Sequence, residues 1–104
     1  MASYQVFIET EVNRNRKQLP GNIRQRIART IDGLAANPRP TNSQVLDISE
    51  LNIPPNIELR RVRIDMWRIV YAISDQEQWV WVLGVHRRPP YDYENIGEIA
   101  FKLR

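Results

Sequence analysis

The chain opens on an alternating stretch, Tyr4-Gln5-Val6-Phe7-Ile8, whose strand-forming residues predict a first β-strand. Residues 10–18 are polar apart from Val12, with Leu19 seven positions on. That suits a short surface helix, which Leu19-Pro20-Gly21 breaks. Ile23, Ile27, Ile31 and Leu34 then recur at helical spacing and predict an amphipathic helix with one apolar stripe. Arg24, Arg26 and Arg29 fall mostly off that stripe. Asn37-Pro38 ends the helix, because the residue before a proline resists the α region. Two helices joined by so short a break form an αα-hairpin able to lie on one face of a sheet.

Residues 38–57 carry four of the seven prolines and read as a long surface connection, with Val45-Leu46-Asp47-Ile48 tucked onto the core. Three strands follow, at residues 57–64, 67–73 and 79–85. The turns between them are Asp65-Met66 and the polar stretch 74–78. Turns this short predict an antiparallel meander. The last strand is nearly all apolar, which predicts a central strand covered on both faces. Ile96, Ile99, Ala100 and Leu103 stand at helical spacing and predict a short amphipathic C-terminal helix. The pattern is that of one α+β domain over residues 1–104. An N-terminal strand and a two-helix hairpin pack on a small, mainly antiparallel sheet of about four strands, and a short C-terminal helix follows.

Composition narrows the chemistry. With 104 residues, 42% of them hydrophobic, the chain buries a single core. It has no cysteine, so disulfides and thiolate metal sites are excluded. Its one histidine, His86, does not build a zinc site, and neither a metal nor a cofactor is expected. No apolar run reaches the ~18 residues of a membrane span, and the first residues lack the basic head and apolar stretch of a signal peptide. The expected location is the cytoplasm. Net charge is only +3, but of the fifteen basic residues all except Lys17 and Lys102 are arginine. A guanidinium is planar, always charged, matches phosphate and stacks on bases, so the bias points to an anionic partner.

The arginines cluster where chemistry is expected. Arg61 and Arg63 are two apart and share one face of their strand. Arg68 follows the tight turn on the partner strand. His86, Arg87 and Arg88 close the last strand, with Tyr91 and Tyr93 beyond. In a meander these segments converge on the face of the sheet opposite the helices, or at its end. Several arginines beside two tyrosines suit a phosphodiester flanked by stacked bases. The alternative is a solvated sheet face, its arginines paired with Asp65, Asp75 or Glu77. Trp67, Trp79 and Trp81 read as packing residues rather than stacking platforms.

These residues also carry a family resemblance. Leu59-Arg60-Arg61-Val62-Arg63-Ile64-Asp65-Met66-Trp67-Arg68-Ile69-Val70-Tyr71 resembles the central signature of RelE/ParE-type toxins. Val82-Leu83-Gly84-Val85-His86-Arg87-Arg88-Pro89-Pro90-Tyr91-Asp92-Tyr93 resembles the family's strand end, an arginine followed by a tyrosine. The first strand, the hairpin ending Leu34-Ala35-Ala36-Asn37-Pro38 and Val45-Leu46 fall in the family's order, so the resemblance covers nearly the whole chain. It implies a toxin of a type II toxin–antitoxin pair, neutralised by a cognate antitoxin. The RelE-like members are metal-independent endoribonucleases that cut mRNA in the A site of the 70S ribosome.

Carried over by position, Arg61 and Arg68 become phosphate-binding catalytic residues and Arg87 the strand-end arginine. Tyr91 or Tyr93 becomes the stacking and proton-transfer tyrosine, and the spacing leaves both open. Arg60, Arg63 and Arg88 become further RNA-binding residues. The chain departs from relatives that carry lysines where it has Leu59 and Arg61. A lysine acts as a base when its pKa is depressed, whereas an arginine practically does not. His86 and a tyrosine remain as candidates for the base, and the arginines would act mainly by charge and position. The resemblance also allows two other readings: a ParE-like toxin that binds gyrase, or a catalytically inactive relative.

Overall fold

The computed structural model describes residues 3–47 and 52–87. Among these the chain forms β1 (Gln5–Ile8), α1 (Thr10–Arg16), α2 (Gly21–Gly33), β2 (Ser43–Val45), β3 (Glu58–Ile64), β4 (Trp67–Ser74) and β5 (Trp79–Arg87). The strands make one five-stranded sheet in the order β1-β5-β4-β3-β2. The meander is as the turns predict: β3, β4 and β5 pair antiparallel. Asp65 takes a positive φ of 50° in the two-residue turn, a conformation aspartate tolerates. The C-terminal helix expected around residues 96–103 lies outside the described residues.

Three features go beyond the sequence pattern. β1 runs parallel to β5, with Phe7 beside Trp81 and Ile8 beside Val82. The proline-rich connection contributes a short edge strand, β2, paired with β3, which takes the sheet from the expected four strands or so to five. The middle place in the sheet belongs to β4, whose residues 68–74 are all buried. β5 lies next to it, between β4 and β1.

The two faces are covered differently. Val12 of α1 and Ile23, Ile27 and Ile31 of α2, with Leu34 just beyond, pack on Val62, Ile64, Ile69, Tyr71, Ile73, Val80 and Val82. Burying this stripe is what makes so short a hairpin stable, at roughly 1.5–3 kcal/mol for each fully buried aliphatic side chain. Tyr71 reaches through this core to donate its hydroxyl to the Pro38 carbonyl at 2.8 Å, and burial pushes its pKa up. The opposite face holds a smaller cluster: Leu59, Val70, Ala72 and Leu83, with Leu46, Ile53, Ile57, Trp79 and Trp81 packed against it. Trp79 and Trp81 meet edge to face at 6.5 Å, which suits packing within this cluster. No described helix is long and apolar enough to cross a membrane.

Candidate functional site

The smaller cluster fills only one end of the open face. At the other end the strand register assembles a polar row. Arg63 of β3 stands opposite Arg68 of β4, and Arg68 stands opposite His86 of β5. Cross-strand partners point to the same face with Cα atoms about 5 Å apart. Arg61, Val70 and Gly84 form the next row, roughly 7 Å along the strands. Arg61, Arg63, Arg68 and His86 are thus gathered on one face, drawn from three strands.

A β-bulge in β5 decides this arrangement. Tyr71 faces Val82 while Val70 faces Gly84, so Leu83 is the extra residue. Strict alternation from Trp79 would put Val85 and Arg87 on the open face. The bulge reverses that order, and Val85 packs into the helix-side core. His86 therefore joins the arginines, and Arg87 falls opposite Trp67 on the helix-side row. Of Arg61, Arg68 and Arg87, expected from the sequence to converge, the register puts the first two on the open face and the third on the other.

Arg60, the chain neighbour of Arg61, alternates onto the helix side. Its guanidinium donates to Glu58 at 2.9 Å and to the Ser43 hydroxyl at 3.0 Å and 3.1 Å. Arg39 extends this network, donating to Glu58 at 3.2 Å and gripping Asp75 with two bonds at 2.7 and 3.1 Å. The Tyr4 hydroxyl donates to the same Asp75 carboxylate at 2.5 Å. The Arg39 and Tyr4 bonds hold the Asp75 carboxyl below the usual range, and the Asp75 carboxylate in turn raises the Tyr4 pKa. Of the acids the sequence offered to the strand arginines, Asp65 pairs with Arg26, Asp75 with Arg39, and Glu77 accepts from the Trp79 indole.

On the open face Arg63 is exposed, Arg61 is partly covered, and Arg68 is only 6% exposed. Arg61 donates to the Gln44 side chain at 2.5 Å, so β2 supports it from the edge. Thr41, Asn42, Ser43 and Gln44 line an open depression of about 410 Å³ with Arg61 and Arg63. His86 lies half-buried at the end of the row, and burial pushes its pKa below the ordinary histidine value. The site can therefore offer guanidinium donors and a neutral imidazole to a phosphate.

Arg88, Tyr91 and Tyr93 lie outside the described residues. Sequence reasoning missed Gln44, for which a three-residue edge strand gives no signal. It also missed Gly84, although a glycine inside an apolar strand is itself a sign of a bulge or a close approach.

With this geometry in hand, solved structures supply the comparison. The archaeal RelE of a RelE–RelB complex from Pyrococcus horikoshii superposes with a TM-score of 0.74 at 21% identity, covering 86% of this chain and 99% of that one. The fold is that of the RelE toxins. The RelBE2 toxin–antitoxin complex of Mycobacterium tuberculosis matches with a TM-score of 0.64 at 23% identity, over 83% of this chain and 99% of that one. The isolated RelE toxin of E. coli matches at 0.59 and 17% identity, over 93% and 99%. No protein-family model and no curated protein matches the chain. The RelE likeness therefore lies in the backbone fold, at low overall identity.

Proposed function

We propose that this RelE-fold protein is the toxin of a toxin–antitoxin pair and a metal-independent endoribonuclease acting on mRNA in the ribosomal A site. The observation that carries the reading is the cross-strand row Arg63–Arg68–His86, with Arg61 one row away, on the face the helices leave open. A single strand of RNA brings one phosphate per nucleotide to such a row, and arginine recognises phosphate through paired donors.

The reaction needs the ribose 2′-hydroxyl to attack the adjacent phosphate. A base takes the hydroxyl proton, the 5′-oxygen leaves with a proton, and charge builds on the phosphorane oxygens. Arg61 and Arg63 are the residues best able to reach those oxygens, and Arg68 adds charge from below. Such donors act by position and field, without moving during the reaction. Arg87, Arg88 and a tyrosine, Tyr91 or Tyr93, are proposed to contact the strand beyond the row, and the tyrosine is a candidate for the proton transfers. Arg60 binds RNA in this reading only if its Glu58 and Ser43 contacts open. The cognate antitoxin acts by covering the arginine face with an extended or helical segment. RelE–RelB complexes among the similar structures support such a partner.

The test is expression of the wild-type chain and of Arg61→Ala/Arg63→Ala, with primer extension on messenger from arrested cells. The wild type should stop growth and leave codon-periodic cuts. The double variant should fold, let cells grow and leave messenger intact. Arrest with intact messenger and a DNA-damage response would replace this reading with gyrase poisoning. Harmless expression of a folded wild-type chain would leave an inactive relative.

A further inference from the structure

Gly84 is the glycine for which the structure gives a steric reason. No described glycine has a positive φ, so its backbone does not demand glycine. Space does: a Cβ at position 84 would sit 2.5 Å from His86 Nε2, 3.2 Å from Cε1 and 3.3 Å from Cδ2. The imidazole folds back along β5 and lies on the glycine. Its Nε2 is buried there with no hydrogen-bond partner among the described residues. Arg68 on β4 is its cross-strand neighbour, with Arg63 of β3 beyond it in the same row.

A neutral imidazole carries one N–H and one bare nitrogen, and the surroundings choose which is which. A buried N–H without an acceptor is rarer in proteins than a buried lone pair without a donor. That favours Nε2 as the bare nitrogen and Nδ1 as the carrier of the proton. We propose that Gly84 is a positioning residue that seats His86 as the neutral Nδ1–H tautomer, so that the imidazole serves the arginine row as an uncharged donor to an RNA phosphate rather than as the base. This rests on the nuclease reading above and assigns a role within that site. The consequence is that deprotonation of the 2′-hydroxyl falls to another group.

Burial also keeps the ring from charging, in line with the lowered pKa.

His86 is the only histidine, so its ring nitrogens can be read in the intact protein without assignment ambiguity. Nitrogen-15 NMR of the free chain should show a protonated Nδ1 and a bare Nε2, with titration below the ordinary histidine range. Gly84→Ala should fold, because the clashing atom is the tip of a side chain that can swing away. In that variant the ring should show mixed tautomers and an ordinary titration. An Nε2–H tautomer in the wild type, or a titration unchanged by Gly84→Ala, overturns the seat. In the RNA-cleavage assay His86→Asn, whose amide N–H can take the place of Nδ1–H, should stay within about threefold of wild type, while His86→Ala loses about ten- to hundredfold. Equal loss in both variants, with disappearance of the acid limb of the pH–rate profile, makes His86 the base and overturns the donor role. A wild-type chain that cuts no RNA removes the nuclease reading and leaves the NMR result on the seat standing.

Discussion

Arg60 and Arg61 are adjacent in the chain and belong to different parts of the molecule. Arg60 is held on the helix side by Glu58 and Ser43, within a network that Arg39 carries to Asp75 and Tyr4. Arg61 stands on the open face with Arg63 and Arg68, supported by Gln44. The first set is matched by carboxylates inside the fold and ties the residue 39 loop to β3 and to the turn after β4. The second concentrates positive charge on one surface. On the function proposed above, stability and recognition would fall to alternate positions of a single strand, and residue type alone does not tell them apart.

The comparison predicts a separation of effects. The largest should come from Arg61→Ala/Arg63→Ala, which removes aligned charge and should lower RNA cleavage by about a hundred- to thousandfold. Its melting temperature should stay near that of the wild type. Arg60→Ala should do the reverse. It leaves Glu58 without one of its partners, so stability should fall by about 1–2 kcal/mol, a melting shift of roughly 5–10 °C for a domain this size. RNA affinity should hardly change. Loss of cleavage in Arg60→Ala at full stability would break the division between the two faces.

Salt gives the next, smaller effect. Each phosphate contact on a single strand contributes about 0.7 to the slope of log affinity against log salt, so Arg63→Ala should flatten that slope by about this much and Arg39→Ala should not. The smallest effect is on pH-dependent stability. The folded pKa of Asp75 is depressed, so its contribution is present above the ordinary value of about 3.9 and is lost as pH falls through the lower folded value. His86 is likewise depressed, and its contribution is lost as pH falls below about 6.5 and through its folded value. Thermal melts across this range should show both losses. Asp75→Asn should remove the more acidic one, and an unchanged acid limb in that variant would discard the Asp75 latch.

The helix α2 and the β3-β4-β5 meander were legible because Ile23, Ile27 and Ile31, and the strand runs around Asp65-Met66, repeat their pattern over several residues. Arg61, Arg63 and Arg68 followed from that meander, since alternation and a two-residue turn fix which faces they share. Arg87 did not, because counting by twos assumes an unbroken strand and Leu83 is an extra residue. The Arg39 latch was also hidden. It joins positions 36 residues apart, and nothing local to Arg39 or Asp75 marks them as partners. The parallel docking of β1 on β5 was illegible for the same reason.

That docking sets an order of events for a chain under synthesis. β1 is made first, yet its hydrogen-bonding partner is the last strand described, more than 70 residues later. A growing polypeptide that stops before Trp79 lacks the template its own beginning must add to, and lacks the His86 end of the arginine row as well. Closure of the sheet is therefore a late, long-range step, the kind that slows folding. The full arginine row and the completed sheet come into being together, and shortened products carry neither.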